Sequence, residues 1–541
     1  MSRALFAVLA LCAVLAPGSP ARAQQPAAEE PEAQAVEAEP ESLEEERPRF
    51  REDVTITAQK REEDIQEVPL AVTTLDAEQL TLLSSGAADV KALSARVPSL
   101  LLESSFGRAF PRFYIRGLGN TDFDLNASQP VSLVFDEVVL ENPVIKGKPL
   151  FDLQRTEVLR GPQGSVFGRN TPAGIVKFET AKPSQDRDGF LRASYGTFNN
   201  VDIKGAVGGG LSDTVSARLS LLYQSQSDWV ANTFTGDENA LGSHRTFAGR
   251  AQLLWEPNEK FNALVKVEGW DVDGTARIFR ANVFEAGSNE VVGSFDQTEV
   301  GHDGLNEQKI SAFGGLVRLA YDFGGATLTS ITGYETLNEM YSRGDIDGGF
   351  GADFAPPSGP GFIPFPSESA DGLPKLDQFT QEVRLASTTG GSWDWLVGVY
   401  YFDESLKADT FNYDSLAPGN PQAGYAFQTQ DATSWAGFAS VGIHATERWT
   451  LRGGLRYTTD EKDFAAERPE PTFQTPTIRP IEVSTDADLV TWDLSAIFSA
   501  SDRVNLYGRV GTGFRAPSIQ GRILFCADFE GGVNPATNCV S

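Results

Sequence analysis

Cysteine, histidine and methionine are scarce in this chain of 541 residues: three, three and two. His244, His302 and His444 are scattered over separate segments without the close spacing of metal ligands, so no metal site is expected. Lysine and arginine are outnumbered, 45 against 74 acidic residues, giving a net charge of −29. That balance excludes a nucleic-acid binder and points to acidic loops that hold cations or repel polyanions. Also missing, beyond the first 23 residues, is any apolar run of the roughly 18 residues that a membrane helix needs. Helical membrane spans are therefore excluded, but a closed barrel of strands is not. No local Ser/His/Asp, Cys/His or paired-carboxylate arrangement appears, so neither an enzyme nor a cofactor is expected.

The first segment present is a leader. Arg3 is followed by an apolar run from Ala4 to Pro17 and by Ala21-Arg22-Ala23, the small-x-small pattern of a cleavable export signal over residues 1–23. Cys12 lies inside that apolar run and is not expected to carry a lipid. Export places the remaining pair, Cys526 and Cys539, in an oxidising compartment, where a disulfide pinning one loop is expected ahead of two free thiols. Residues 24–52 are Ala, Glu, Pro and Gln with almost nothing to bury, an acidic disordered linker.

Two further regions follow. Residues 65–183 read as one compact α+β domain: a strand over Val68 to Thr74, a helix capped by Asp76 and running through Leu83, and a second helix over Ala88 to Ala95. Small strands are expected at Phe113 to Arg116, Val131 to Phe135, Thr156 to Arg160 and Ile175 to Thr180. From 189 to 541 the helical period vanishes, and segments of alternating apolar and polar residues recur, such as Val215 to Tyr223 and Trp449 to Tyr457. Alternation with terminal aromatics, short turns and long Gly/Pro/Asp-rich excursions such as Arg343 to Pro374 is the pattern of an outer-membrane β-barrel wall. Roughly 13 strands are expected between Gly189 and Pro517. The chain ends at Asn538 to Ser541 in a loop-like stretch, and an open sheet edge in lipid is not viable, so a truncated barrel is expected.

The motifs sharpen this reading. Asp53, Val54, Thr55, Ile56, Thr57 and Ala58 form a short β-prone segment between the linker and the compact domain, followed by the charged run Gln59 to Asp64. Such a segment suits strand addition to a partner's sheet edge. Arg112 to Gly117 and Val131 to Asp136 are followed by Arg155 to Gly174, whose four glycines suit tight turns in a crowded lumen. The last of these lacks the Gly-Lys-Ser/Thr ending of a phosphate loop. With Gly511 to Pro517, these segments in this order resemble the TonB-dependent receptor family over nearly the whole chain.

The resemblance implies an all-β transmembrane barrel of about 22 strands, of which about 13 are present, with an N-terminal plug in its lumen. It implies a TonB box at 53–58 that binds the periplasmic domain of TonB, and plug turns at Gly117, Gly161, Pro162, Gly164, Gly168 and Gly174. It also implies a plug–barrel lock in which Arg116 and Arg160 face Glu382, on the barrel segment Gln381 to Ser387. The implied activity is import across the outer membrane of a Gram-negative bacterium of a scarce small ligand, first among them an iron chelate, with cobalamin, haem, oligosaccharide or aromatic compounds as alternatives. A passive channel needs no plug or periplasmic handle, and a signalling receptor of this family carries an extra N-terminal domain.

Overall fold

The computed structural model describes residues 55–524, save 58, 62, 84–88, 95, 121, 123, 282, 286, 350–366, 389–390, 473–475 and 502–503. The leader, the acidic linker, Asp53, Val54, Ala58, Cys526 and Cys539 lie outside these residues.

The larger element is one sheet of 13 antiparallel strands, hydrogen-bonded in chain order from Asp188–Gly196 to Val504–Gly511. Its strands alternate faces residue by residue, as a wall with two solvents must. In the strand Phe261–Gly274, Leu264 is 5% exposed while Val265 and Val267 are 41% and 44% exposed. The exposed valines, leucines and aromatics form an outward apolar band that would be a fault in water and is the requirement in lipid. Aromatic contacts gather at both ends of the strands. Trp255–Phe261, Tyr321–Phe323 and Trp449–Phe498 mark the short-turn end, and Tyr341–Phe411 and Phe411–Tyr425 the long-loop end. These are the two interfacial girdles of such a wall. Among the described residues no helix is long and apolar enough to cross a membrane.

The excursion from Arg343 to Pro374 is shorter than the sequence implies. The strand Ala326–Asp345 runs into it and Glu368–Ser387 begins within it, because cross-strand pairing outweighs the turn-forming composition of its ends.

Against the inward face packs the N-terminal domain, whose five-stranded sheet has the order Ala71–Asp76, Leu153–Arg160, Gly174–Thr180, Val131–Phe135, Val138–Leu140. Only the third and fourth of these run parallel. The helix Ala77–Leu83 starts as expected: Asp76 Oδ1 accepts from the Gln79 amide at 2.8 Å and Gln79 Oε1 accepts from the Asp76 amide at 3.3 Å, a reciprocal cap. The second expected helix is a correction. Among the described residues of that stretch only the single 3-10 turn Val90–Leu93 forms, with Asp89 as its cap. Val90 and Leu93 are buried there, and a short turn suffices to bury them. One apolar cluster joins this domain to the wall, running from Phe113, Leu133 and Phe178 to Leu316, Leu337 and Leu376.

Candidate functional site

The described ends of the segment after the linker pair with each other beside the plug sheet. Thr55–Ile56 pairs antiparallel with Glu63–Asp64, and the turn closes through the Lys60 amide on the Thr57 carbonyl at 3.1 Å. Lys60 takes a positive φ of 60° to make it. Ile56 is fully buried among Val68, Leu70, Val134, Leu159, Phe167 and Ile175. The Thr57 amide donates to Glu157 Oε1 at 2.9 Å, and its hydroxyl donates to Glu179 Oε1 at 2.6 Å. The segment expected to be a free strand on a leash is thus, at least over Thr55 to Thr57, part of the plug's own packing.

The charged run after it reaches the barrel wall. Lys60 Nζ lies 2.5 Å from Glu382 Oε2, Arg61 2.8 Å from Asp394, and Glu63 2.7 Å from Arg452. The Lys60 ammonium also sits 5.2 Å above the Phe167 ring and 4.8 Å above Phe438. Burial pulls Lys60 down to about 8, although Glu382 pulls the other way.

The expected lock requires correction. Glu382 is buried on the inward face, but its partners are Lys60 and Arg384, the latter at 2.9 Å. Arg116 is exposed just past the strand Arg112–Ile115, with φ 53°. Arg160 ends its strand by donating to the Pro98 carbonyl at 3.0 Å and to the Thr73 hydroxyl at 2.6 Å. Both arginines sit at strand ends, where an apolar strand no longer implies a buried side chain. The wall meets the plug through a different set. Glu137 pairs with Arg384 and with Arg318 at 2.9 Å. Burial alone would raise the Glu137 carboxyl, but the two guanidiniums hold it below the usual carboxylate range.

Also between plug and wall, Arg169 bridges Glu141 and Asp460 at 3.3 Å each, 4.5 Å over Phe402. Lys148 bridges Glu268 and Glu335 at 2.8 Å each. Buried pairs like these add little net stability, yet stripping either partner leaves a stranded charge.

Gly117, Gly161 and Gly168 have φ of 79°, 90° and 86° and Gly174 144°, so four of the expected plug turns use left-handed or related backbone. Pro162 accepts from Arg509 at 2.7 Å, and the Gly164 amide donates to the Thr512 carbonyl at 3.2 Å. This contact belongs to a longer one, in which Asn170 donates to the Phe514 carbonyl at 2.9 Å and accepts from the Ala516 amide at 2.9 Å. Two motifs quoted separately from the sequence, around Arg169 and around Arg515, therefore face each other.

Sequence reasoning missed Lys60, Arg61, Glu137, Arg169 and Arg384. Arg384 was within reach, because strand alternation puts it on the same face as Glu382. The histidines are apart, as their spacing implies: His244 lies on Arg108 at 2.8 Å, His302 on the Phe279 carbonyl at 2.8 Å, and His444 3.3 Å from Asp394.

A strand wall with an outward apolar band, and a smaller α+β domain keyed to its inner side by ion pairs and an apolar cluster, define an outer-membrane β-barrel wall with a plug. The family pattern described as TonB-dependent Receptor Plug Domain matches residues 64–175, and that of TonB dependent receptor-like, beta-barrel matches 269–537. The chain belongs to the TonB-dependent receptors of the Gram-negative outer membrane. It is 23% identical to the pesticin receptor of Yersinia pestis over 77% of this chain and 57% of that protein. It is 21% identical to the ferric aerobactin receptor of Escherichia coli over 66% and 50%, respectively. The chain therefore spans about half the length of these relatives. Among solved structures, the ferric yersiniabactin uptake receptor FyuA from Yersinia pestis superimposes with a TM-score of 0.69 at 19% identity, over 82% of this chain and 64% of that one. The ferric-catecholate import receptor Fiu from E. coli K12, open form, gives 0.62 at 15% identity, over 85% and 72%. At such identities the structures speak for the fold.

Proposed function

We propose that the protein binds a ferric siderophore at the cell surface and admits it to the periplasm when TonB pulls on residues 53–58. The observation that carries this reading is the placement of Thr55 to Asp64. A β-prone segment packs against the plug sheet, and the next residues reach the wall through three ion pairs. Tension on such a segment acts on the plug's core and on its keys to the wall together. A passive channel has no use for that arrangement. The ligand class rests on relatives named for ferric aerobactin and rhizobactin, and on the fold shared with a ferric yersiniabactin receptor.

Uptake of radiolabelled iron chelates tests both parts. Cells whose only outer-membrane iron receptor is this protein should accumulate at least one hydroxamate, catecholate or phenolate chelate, and lose that uptake when TonB is deleted. Accumulation without TonB would refute the energy coupling. Uptake of cobalamin, haem or an oligosaccharide, with none of iron chelates, would refute the ligand class.

A further inference from the structure

Three aspartates meet at the long-loop end of the wall. Asp303 lies in the long loop between the strands Phe261–Gly274 and Glu307–Asp322, Asp345 is the last residue of Ala326–Asp345, and Asp347 follows two residues on. One carboxylate oxygen from each lies within 4.8 Å of the other two. Acidic side chains crowd together on many surfaces, but here only Asp303 is partly exposed and the other two are buried. Asp345 is 0% exposed and Asp347 3% exposed.

Its partners are incomplete. Asp345 Oδ2 accepts from the Asp303 amide at 3.1 Å, whereas Asp345 Oδ1 is buried with no hydrogen-bond partner. Among the described residues no lysine or arginine forms an ion pair with Asp303 or Asp345. Arg343, two residues before Asp345, is engaged by Glu368 at 2.5 Å and lies 3.5 Å over the Tyr413 ring. A buried carboxylate oxygen without donor or cation is costly unless the group takes up a proton or a cation supplies positive charge.

We propose that Asp303, Asp345 and Asp347 hold a calcium-class divalent cation that ties the 275–306 loop to the end of the neighbouring strand. The chemistry is that of a hard cation and oxygen ligands. Oxygens about 2.4 Å from calcium lie at most about 4.8 Å apart across it, and the three oxygens fall within that limit. Loop carbonyls and water would complete the six to eight ligands that calcium takes. The backbone around the site is already held by Asp347 and the neighbouring Glu368. Asp347 accepts from the Gly349 amide at 3.0 Å and the Ser367 amide at 2.6 Å, and Glu368 from the Leu305 amide at 2.9 Å.

Hydrogen exchange of the purified protein in detergent, which removes lipopolysaccharide, reads this directly. Calcium at about 1 mM, the upper end for extracellular sites, should slow exchange over 301–306 and 345–349 relative to a calcium chelator, and leave the 446–449 turn, at the opposite end of the strands, unchanged. Asp345→Asn should weaken the calcium response at least ten-fold. This variant removes one charge from a crowded site, so in chelator its barrel should be as stable as the parent's, judged by heat-modifiable gel mobility. Should the variant nevertheless fail to fold, the parent's own response decides. No calcium response in the parent, equal protection of all loops, or an undiminished response in a folded Asp345→Asn protein would each overturn the proposal.

Discussion

Lys60 and Glu382 lie 2.5 Å apart across the boundary between plug and wall, three residues beyond Thr57 in the coupling segment. The pair is enclosed by Phe167 and Phe438 and shares its surroundings with Arg384 and Arg456. Burial of the ammonium makes this a key that holds at a cost, since Lys60 is pulled from 10.5 to about 8 while docked.

A pH dependence follows from that shift. The docked segment gives up the Lys60 proton near pH 8, whereas a released segment keeps it until about 10.5. The released state therefore binds more protons between these values, and raising the pH favours docking. The Lys60 contribution is fully present above 10.5 and is lost as pH falls through 8. Docking should tighten by about ten-fold between pH 7 and pH 9, read as slower hydrogen exchange over 55–64 after correction for intrinsic rates. Looser docking at pH 9 would contradict the assignment.

Removing the wall partner should act the other way. Glu382→Gln leaves Lys60 buried without its carboxylate, a loss of about 3 kcal/mol where the charge cannot escape. Lys60 can shed its proton or swing out with the segment, so the expected result is faster exchange over 55–64. The double variant with Lys60→Met should be no looser than Glu382→Gln alone. Additive loosening would mean that the two residues act independently.

Ile56 separates packing from partner recognition. Ile56→Ala empties a fully enclosed site and should weaken docking by about 2 kcal/mol or more, which frees the segment without abolishing its strand-forming backbone. Ile56→Pro removes a backbone donor as well. On the proposed reading, proline stops chelate uptake with surface binding intact, while alanine leaves uptake measurable. Equal uptake by the proline variant and the parent would count against strand addition to TonB.

The wall was legible in the sequence because its signal is local: apolar and polar residues alternate, and the turns between them carry glycine, proline and asparagine. The plug's strands were legible within a few residues for the same reason. The lock was not. Arg116 follows and Arg160 ends an apolar strand, but which end of a strand stays covered depends on chain distant in sequence. Lys60 and Arg61 look like part of a solvated charge run until Glu382 and Asp394 are brought to them. The aspartate site is non-local in the same way, joining a loop to the end of the next hairpin.

Two plug glycines should respond differently to the same substitution, and the difference tests the packing of the central sheet. Gly117 has φ 79° with open space where a Cβ would stand. Gly117→Ala should therefore cost only the left-handed backbone, about 1 kcal/mol. Gly174 has φ 144°, and a Cβ there would meet the Leu159 carbonyl oxygen, a backbone atom of the adjacent strand. No side-chain rotation relieves that collision. Gly174 opens the strand that joins Val131–Phe135 on one side and Leu153–Arg160 on the other, so Gly174→Ala should unzip both pairings at that end. The expected result is a folded barrel with a plug cut rapidly by protease near Gly161, beside a Gly117→Ala protein that resists like the parent. Equal resistance of the two variants would show that the plug sheet does not close at Gly174 as described.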